Sequence, residues 1–329
     1  MRKYLSTTGL LAFACVLMFF CSCTKEYNDI IINIGNGSES GTPGGGGNGN
    51  TGNDSVTGTL NKVNFWANIE SLKSTKALSA FSEGRFATVY VYPAGGSMEQ
   101  TPLFNNLYTT NSPGTLTPVN SAIYLSDGSY NIYSVATNQT SNMDPVFDKG
   151  ESASVLQNGV DYLWWGTVGQ TIETSPENLQ IVFRHACAQV VVKLVAGNGV
   201  TINSTQSATI MPPLNTTSMN LSTGIITPAT SFSSTPLAMG VSQNICQATI
   251  LPLNNVTSIA ATFNLLINGE TSTRNFEVNI PVPAEGFTYG NSYLYEAIVS
   301  SNTISFNQVS VINWVVVDET GTPLYPEEI

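Results

Sequence analysis

The sequence predicts an all-β protein of two tandem β-sandwich domains, and three observations carry that expectation. Short runs of alternating apolar and polar residues recur along the chain, with Gly, Pro, Asn and Asp between them. No long run in the first half has the helical period. Charged residues make up only 10% of the chain, 11 Lys+Arg against 22 Asp+Glu, so Ser, Thr, Asn and Gly fill the polar positions. That composition, with 13 tyrosines, suits an exported β-rich protein better than a cytosolic enzyme. An acidic surface repels phosphate backbones, which argues against nucleic acid as a partner. At 329 residues there is enough chain for two domains of ordinary size, each with its own core.

The amino terminus reads as an export signal. Arg2 and Lys3 form a positive n-region, and Leu10 to Phe20 form an apolar h-region too short to span a bilayer comfortably. The end of that run, Phe20-Cys21-Ser22-Cys23, resembles a bacterial lipobox. Residues 1–22 are therefore expected to be a lipoprotein signal peptide, with Cys23 as the lipid acceptor and Cys21 as its rival. Residues 23–59 read as a flexible tether. Gly35 to Gly58 has almost no apolar residue, so it cannot bury enough surface to fold. Within it, Asp54-Ser55-Val56 resembles a short acceptor for O-glycans, placing Ser55 as a possible site, although so short a tripeptide also arises by chance.

The first sandwich is expected over residues 60–175. Its opening strand, Leu60 to Glu70, alternates Val63, Phe65, Ala67 and Ile69 against Asn64, Trp66, Asn68 and Glu70, a half-buried pattern. After a polar segment, Ser71 to Gly84, comes a second strand, Phe86 to Tyr92, closed by Pro93. Ala122 to Leu125 and Ser129 to Val135 flank Asp127-Gly128, a tight-turn signal. Tyr162 to Trp165 before Gly166 is a further short element.

The second sandwich is expected over residues 176–329, after a polar boundary that contains Pro176. Ile181 to Leu194 reads as one long central strand. Ala186, Ala188, Val190, Val192 and Leu194 share a face, and three successive valines favour a pleated backbone. Further strands are expected at Ala208 to Met211, Met219 to Ile226 about Thr223-Gly224, and Gln247 to Leu251. Thr262 to Ile267 and Arg274 to Ile280 flank Asn268-Gly269, and Tyr293 to Ser300 and Thr303 to Val317 complete the set.

Catalytic chemistry finds little footing. The one histidine, His185, lies in the central run and reads as a core residue hydrogen-bonded to backbone. His185 and Cys187 would share a strand face, but with only Cys246 as a further soft ligand no metal cluster is formed. Cys187 and Cys246 are candidates for a disulfide if their strands are neighbours. Asp144, Asp148, Asp161 and Glu285 fall in no motif, and the glycine-rich tether lacks the residues of a phosphate loop. No cofactor is expected. Trp66, Trp164, Trp165 and Trp314 could form a sugar-stacking platform, although such residues more often pack a core.

Several segments stand out in order along the chain: the lipobox with its tether, Ser74-Thr-Lys-Ala77, Val89-Tyr-Val-Tyr92, Ser126-Asp-Gly-Ser-Tyr130 and Phe183-Arg-His185. Ala248-Thr-Ile-Leu-Pro252, Phe287-Thr-Tyr-Gly-Asn-Ser-Tyr293 and Ile312-Asn-Trp314 complete the set. Together they resemble the fimbrillin family of Bacteroidetes, the Mfa-like or fimbrillin-A-like pilus subunits. The resemblance implies transthyretin-like sandwiches and a lipid-anchored precursor exported through the periplasm to the outer membrane. It implies a structural subunit or tip adhesin of a surface fimbria (a type V pilus) that serves cell adhesion, with no enzymatic activity. A protease would remove the first strand, and a neighbouring subunit's strand would fill the groove it leaves. The partners implied are other fimbrial subunits, the membrane through the lipid, and an unidentified host or bacterial surface receptor. Lys76 stands where the family usually has arginine, so Lys76 and Arg85 are both candidates for the cut. Val315 to Ile329 is either a donor strand or an edge. The other reading is a monomeric outer-surface lipoprotein that binds glycan through exposed tryptophans.

Overall fold

Alternating sequence runs become paired strands because each buries one face and must satisfy every backbone N–H and C=O. The computed structural model describes residues 60–70, 78–142, 144–147, 150, 155–215 and 218–314, all of which fall in one compact unit. Among them every regular element is a strand. In the first half these are β1 (Leu60–Glu70), β2 (Leu78–Ala80), β3 (Phe86–Pro93), β4 (Phe104–Ser112) and β5 (Thr115–Pro118). They continue with β6 (Ile123–Ser126), β7 (Gly128–Thr137), β8 (Tyr162–Ile172) and β9 (Glu177–His185). In the second half come β10 (Ala188–Ala196), β11 (Ile202–Ile210), β12 (Leu237–Ala238), β13 (Gly240–Ser242) and β14 (Ile245–Ile250). After them follow β15 (Ser258–Ile267), β16 (Arg274–Pro281), β17 (Ser292–Val299), β18 (Ile304–Phe306) and β19 (Ser310–Ile312).

The first nine strands form one sheet that closes on itself. Its path runs β2-β1-β5-β4-β3-β7-β8-β9, and β9 returns to pair with β1. The enclosed core contains Val63, Phe65, Ala67 and Ile69 of β1 with Ala87, Val89, Val91, Ile132, Ile181 and Phe183. The second half is a true sandwich. One sheet runs β13-β14-β10-β17-β18 with β19 also on β17, and the other runs β12-β11-β15-β16. Val190, Val192 and Leu194 face Phe263, Leu265 and Ile267 across its core. Asn268 and Gly269 both have positive φ in the β15–β16 connection, as an Asn-Gly turn requires.

The structure corrects several sequence expectations. Ile181 to Leu194 is not one strand. It breaks at Ala186-Cys187, β9 closing the first sheet and β10 lying at the centre of the second sandwich. The change of sheet therefore falls after His185 and not at residue 175. Asp127 makes a corner rather than a hairpin, since β6 pairs with β1 while β7 pairs with β3 and β8. β8 runs on through Gly166, where a Cβ would lie 2.6 Å from the Tyr133 ring. That glycine marks a close approach, not a strand end. Met219 and Ile226 form only a single bridge.

A third cluster joins the halves. Tyr90, Tyr92, Tyr133 and Val135, on the outer face of the first sheet, pack with Cys187, Met219, Leu221, Ile226 and Leu251. Trp164 is its fastener, its indole N–H donating to the Leu221 carbonyl at 2.7 Å. Gly224 lies flat on that indole, with φ +70° and no room for a Cβ.

Asp144 sits at the edge of this packing. Its Oδ2 accepts the Thr88 hydroxyl at 2.9 Å, while Oδ1 is sealed from solvent without a partner. Desolvation pushes its carboxyl up to about 7, against hydrogen bonds from Thr88 and the Thr137 backbone that pull it down. The folded state thus holds a proton that the unfolded chain has lost, so stability falls as pH rises from about 4 to about 7. Asp144→Asn should flatten that part of the profile. Urea denaturation of both proteins across this range checks it, and identical slopes would contradict the assignment.

Candidate functional site

β1 is the element with the most connections in the first half. One edge pairs parallel with β9 over seven residues, from Val63 opposite Glu177 to Ile69 opposite Phe183. The other edge is covered in succession by β6 (Leu60–Val63), β5 (Phe65, Trp66) and β2 (Asn68–Glu70), all antiparallel. The Ala67 N–H donates to the Gly114 carbonyl at 2.8 Å, and the Ala67 carbonyl accepts the Phe81 N–H at 3.0 Å. The displaced-strand residues named from the sequence all point inward. Val63 and Phe65 are 1% exposed, Ala67 is 0% and Ile69 is 8%. Phe65 meets Tyr108 edge-on, with centroids 5.3 Å apart. Outward, Leu60 and Trp66 are exposed, and Asn64 donates to Asn178 at 3.2 Å.

The slot that holds β1 is built from the body. Phe81 is fully buried against Phe183, with centroids 5.2 Å apart. β2 and Phe81 follow residues 71–77, so a cut within that segment would separate β1 from the strand and plug beside it. Burial of Val63, Phe65 and Ile69 together is worth about 5–9 kcal/mol at ~1.5–3 kcal/mol each. That is comparable with the whole stability of an ordinary domain, about 5–15 kcal/mol. An emptied slot would not persist; it must be refilled or the ring must open.

The two cutting candidates differ. Lys76 lies outside the described residues. Arg85 is half-buried in a hydrogen-bonded corner. Its N–H donates to Thr110 Oγ1 at 2.9 Å, and its carbonyl accepts the Thr110 N–H at 3.0 Å and the Thr109 hydroxyl at 3.3 Å. The Thr110 hydroxyl donates in turn to the Ser82 carbonyl at 2.5 Å. A protease needs an extended backbone, so cleavage at Arg85 would first have to undo this corner.

The other sequence candidates are dispersed. Cys23 and Ser55 lie outside the described residues. Cys187 and Cys246 are free and buried, the first in the bridging cluster and the second in the sandwich core. Ala188 is paired with Ile250, which leaves Cys246 about 17 Å along its strand from Cys187, beyond disulfide reach. Burial pushes both thiols up, that of Cys246 to about 12. His185 is hydrogen-bonded, as expected, but to a carboxylate rather than to backbone. Its Nδ1 lies 2.8 and 3.0 Å from the two oxygens of Asp161, and Trp314 stacks on its ring at 3.9 Å. Among the described residues no three His, Cys, Asp or Glu side chains converge on a metal site. The tryptophans form no common platform. Trp66 is exposed, Trp165 and Trp314 are half-buried, and Trp164 is buried beneath Arg184 at 4.6 Å.

The sequence reading gives Asn61 no role in the site and Asp127 only that of a turn residue. Asn61 continues the inward face of β1, 2% exposed, and donates to Asp127 at 2.6 Å. Alternation could have found it, since Asn61 is in phase with Val63 to Ile69, but an amide in an apolar series gives no sign of its partner.

The model of a family described as fimbrillin-like matches residues 75–314, beginning between β1 and β2. The structure is similar to that of a candidate cell adhesion protein from Bacteroides ovatus ATCC 8483, with TM-score 0.58 and 15% identity over 79% of this chain and 100% of that one. It is similar to another from Bacteroides uniformis ATCC 8492, with TM-score 0.58 and 16% identity over 77% and 98%. A third, from Bacteroides fragilis NCTC 9343, gives TM-score 0.51 and 15% identity over 78% and 99%. At these identities the likeness is one of fold. No curated protein matches the chain in sequence.

The adjacent residues Phe65 and Trp66 test the slot. Phe65→Ala should cost about 3–5 kcal/mol and the exposed Trp66→Ala no more than ~0.5 kcal/mol, both read by urea denaturation. Equal effects would contradict the assigned faces.

Proposed function

The chain belongs to the fimbrillin-like family, whose members are subunits of cell-surface appendages, and from that premise we propose that it is a structural subunit or tip adhesin of a surface fimbria. It is exported as a lipoprotein anchored through Cys23 and is held to the outer membrane until processing. A protease then cuts after Lys76, β1 leaves, and a strand of a neighbouring subunit enters the slot. The role is structural and adhesive, without catalytic chemistry.

One observation carries this reading. β1 is bonded along both edges and fills the core of a closed sheet, yet it is the first strand of that sheet. A single cut in residues 71–77 therefore frees it from everything that follows. Strand replacement is β-augmentation, in which ladder hydrogen bonds supply affinity and alternate side chains supply specificity. While β1 stays in place, the slot is closed to other chains. The tied backbone of Arg85 favours Lys76 as the site.

Changing Lys76→Ala should leave lipid-anchored monomers that retain β1, and adding Arg85→Ala should change nothing further. Arg85→Ala by itself should still be processed and assembled. Heat-sensitive high-mass ladders on gels of surface extracts read the outcome. Ladders from the double variant would contradict strand removal in this protein.

A further inference from the structure

The inward face of β1 has five positions rather than four, and the fifth is polar. Asn61 lies opposite Leu125, beside Leu60 opposite Ser126, and its amide reaches the Asp127 carboxylate just past the end of β6. The corner that carries Asp127 is braced. The Tyr130 hydroxyl donates to the Ser126 carbonyl at 3.0 Å, and its oxygen lies 3.0 Å from Ser126 Oγ. Asp127 is itself exposed, but its carboxylate meets the buried Asn61 amide and only accepts hydrogen bonds, so this position favours a donor. The next four positions hold an aliphatic residue, an aromatic ring against Tyr108, a methyl group at Ala67 and an aliphatic residue.

Resting on the strand-replacement reading above, we propose that Asp127 sets the register of the strand that fills this slot and that the donor is a different subunit. Its strand presents, at alternate positions and parallel to β9, an amide or hydroxyl, an aliphatic, an aromatic, a small and an aliphatic side chain. A slip of one residue would turn the apolar set to solvent. A slip of two keeps the face but drives the polar residue into an apolar position and the ring out of its own. The direction follows from the ladders. β9 offers the slanted bonds of a parallel pair, and β6, β5 and β2 offer antiparallel ones, so a reversed strand would mismatch both edges.

The segment Val315 to Ile329 of a second copy does not carry this pattern. Tyr325 is its only aromatic residue. With Tyr325 in the Phe65 position, either direction puts Glu327 into a neighbouring apolar position and Pro323 into another. A buried, unpaired carboxylate is costly, and Pro323 and Pro326 have no N–H for the ladder.

The test uses the full chain with a specific protease site in place of residues 71–77. It is cut while folded, so that β1 is held only by its contacts. Labelled peptides are then exchanged into the slot and their affinities measured. The 60–70 peptide should enter, and its Asn61→Leu variant should bind about tenfold more weakly. In Asp127→Ala protein the two peptides should bind within about twofold of each other. The 315–329 peptide should not compete. Equal binding of the first two peptides to the unsubstituted protein would overturn the register role of Asp127, and this arm needs no variant protein to fold. Tight binding of the 315–329 peptide would overturn the choice of donor. Either result would leave strand replacement standing. If the 60–70 peptide never enters while the cut protein stays folded, strand replacement itself fails and the proposal with it.

Discussion

The double ladder on β1 is the constraint on which the first half of this molecule depends. A closed sheet has no edge to spare, so each strand in the ring satisfies the backbone of two neighbours. β1 does this for four other strands and also supplies the large apolar side chains at the centre of the core. The ring is therefore complete only while something occupies the β1 position. Because β1 is the first strand among the described residues, one peptide-bond cleavage after it could change its occupancy. The same feature that stabilises the ring with β1 in place would make it dependent on a partner once β1 was removed.

The remainder of the fold confines that dependence. The second half has its own two-sheet core, built around Val190, Val192 and Leu194, to which β1 contributes nothing. The bridging cluster holds the halves together through the outer face of the first sheet, with the Trp164 indole bonded to Leu221 and capped by Gly224. These contacts involve β3, β7 and β8, strands that a cut in residues 71–77 would leave in the body. Near the junction, His185 is fixed by Asp161 and covered by Trp314. The lone histidine of the chain is thus tied up in joining elements.

Local patterns were the legible part of the sequence. Val63 to Ile69 announced its buried face because alternation is enforced residue by residue, and Asn268-Gly269 announced a turn because both positions need positive φ. What could not be read was pairing. The β1–β9 ladder joins residues more than a hundred positions apart, and nothing in either segment names the other. The run from Ile181 to Leu194 hid its break, since Ala186 and Cys187 are as apolar as their neighbours and pack in a third cluster instead of continuing either strand. Gly166 misled in the opposite sense, ending β8 on paper where it only lets the backbone pass Tyr133 and Trp164. The polar fifth position of the slot was invisible for a related reason. Asn61 makes sense only once the Asp127 corner is folded beside it.

The proposed function requires that β1 be exchanged and not permanent. Mass spectrometry of subunits extracted from assembled surface material tests this most directly. A mature chain that begins at Ala77, with no peptide from Leu60–Glu70 attached to it, is the predicted result. Assembled subunits that still carry Leu60–Glu70 in covalent continuity with Phe81 and β3 would contradict it.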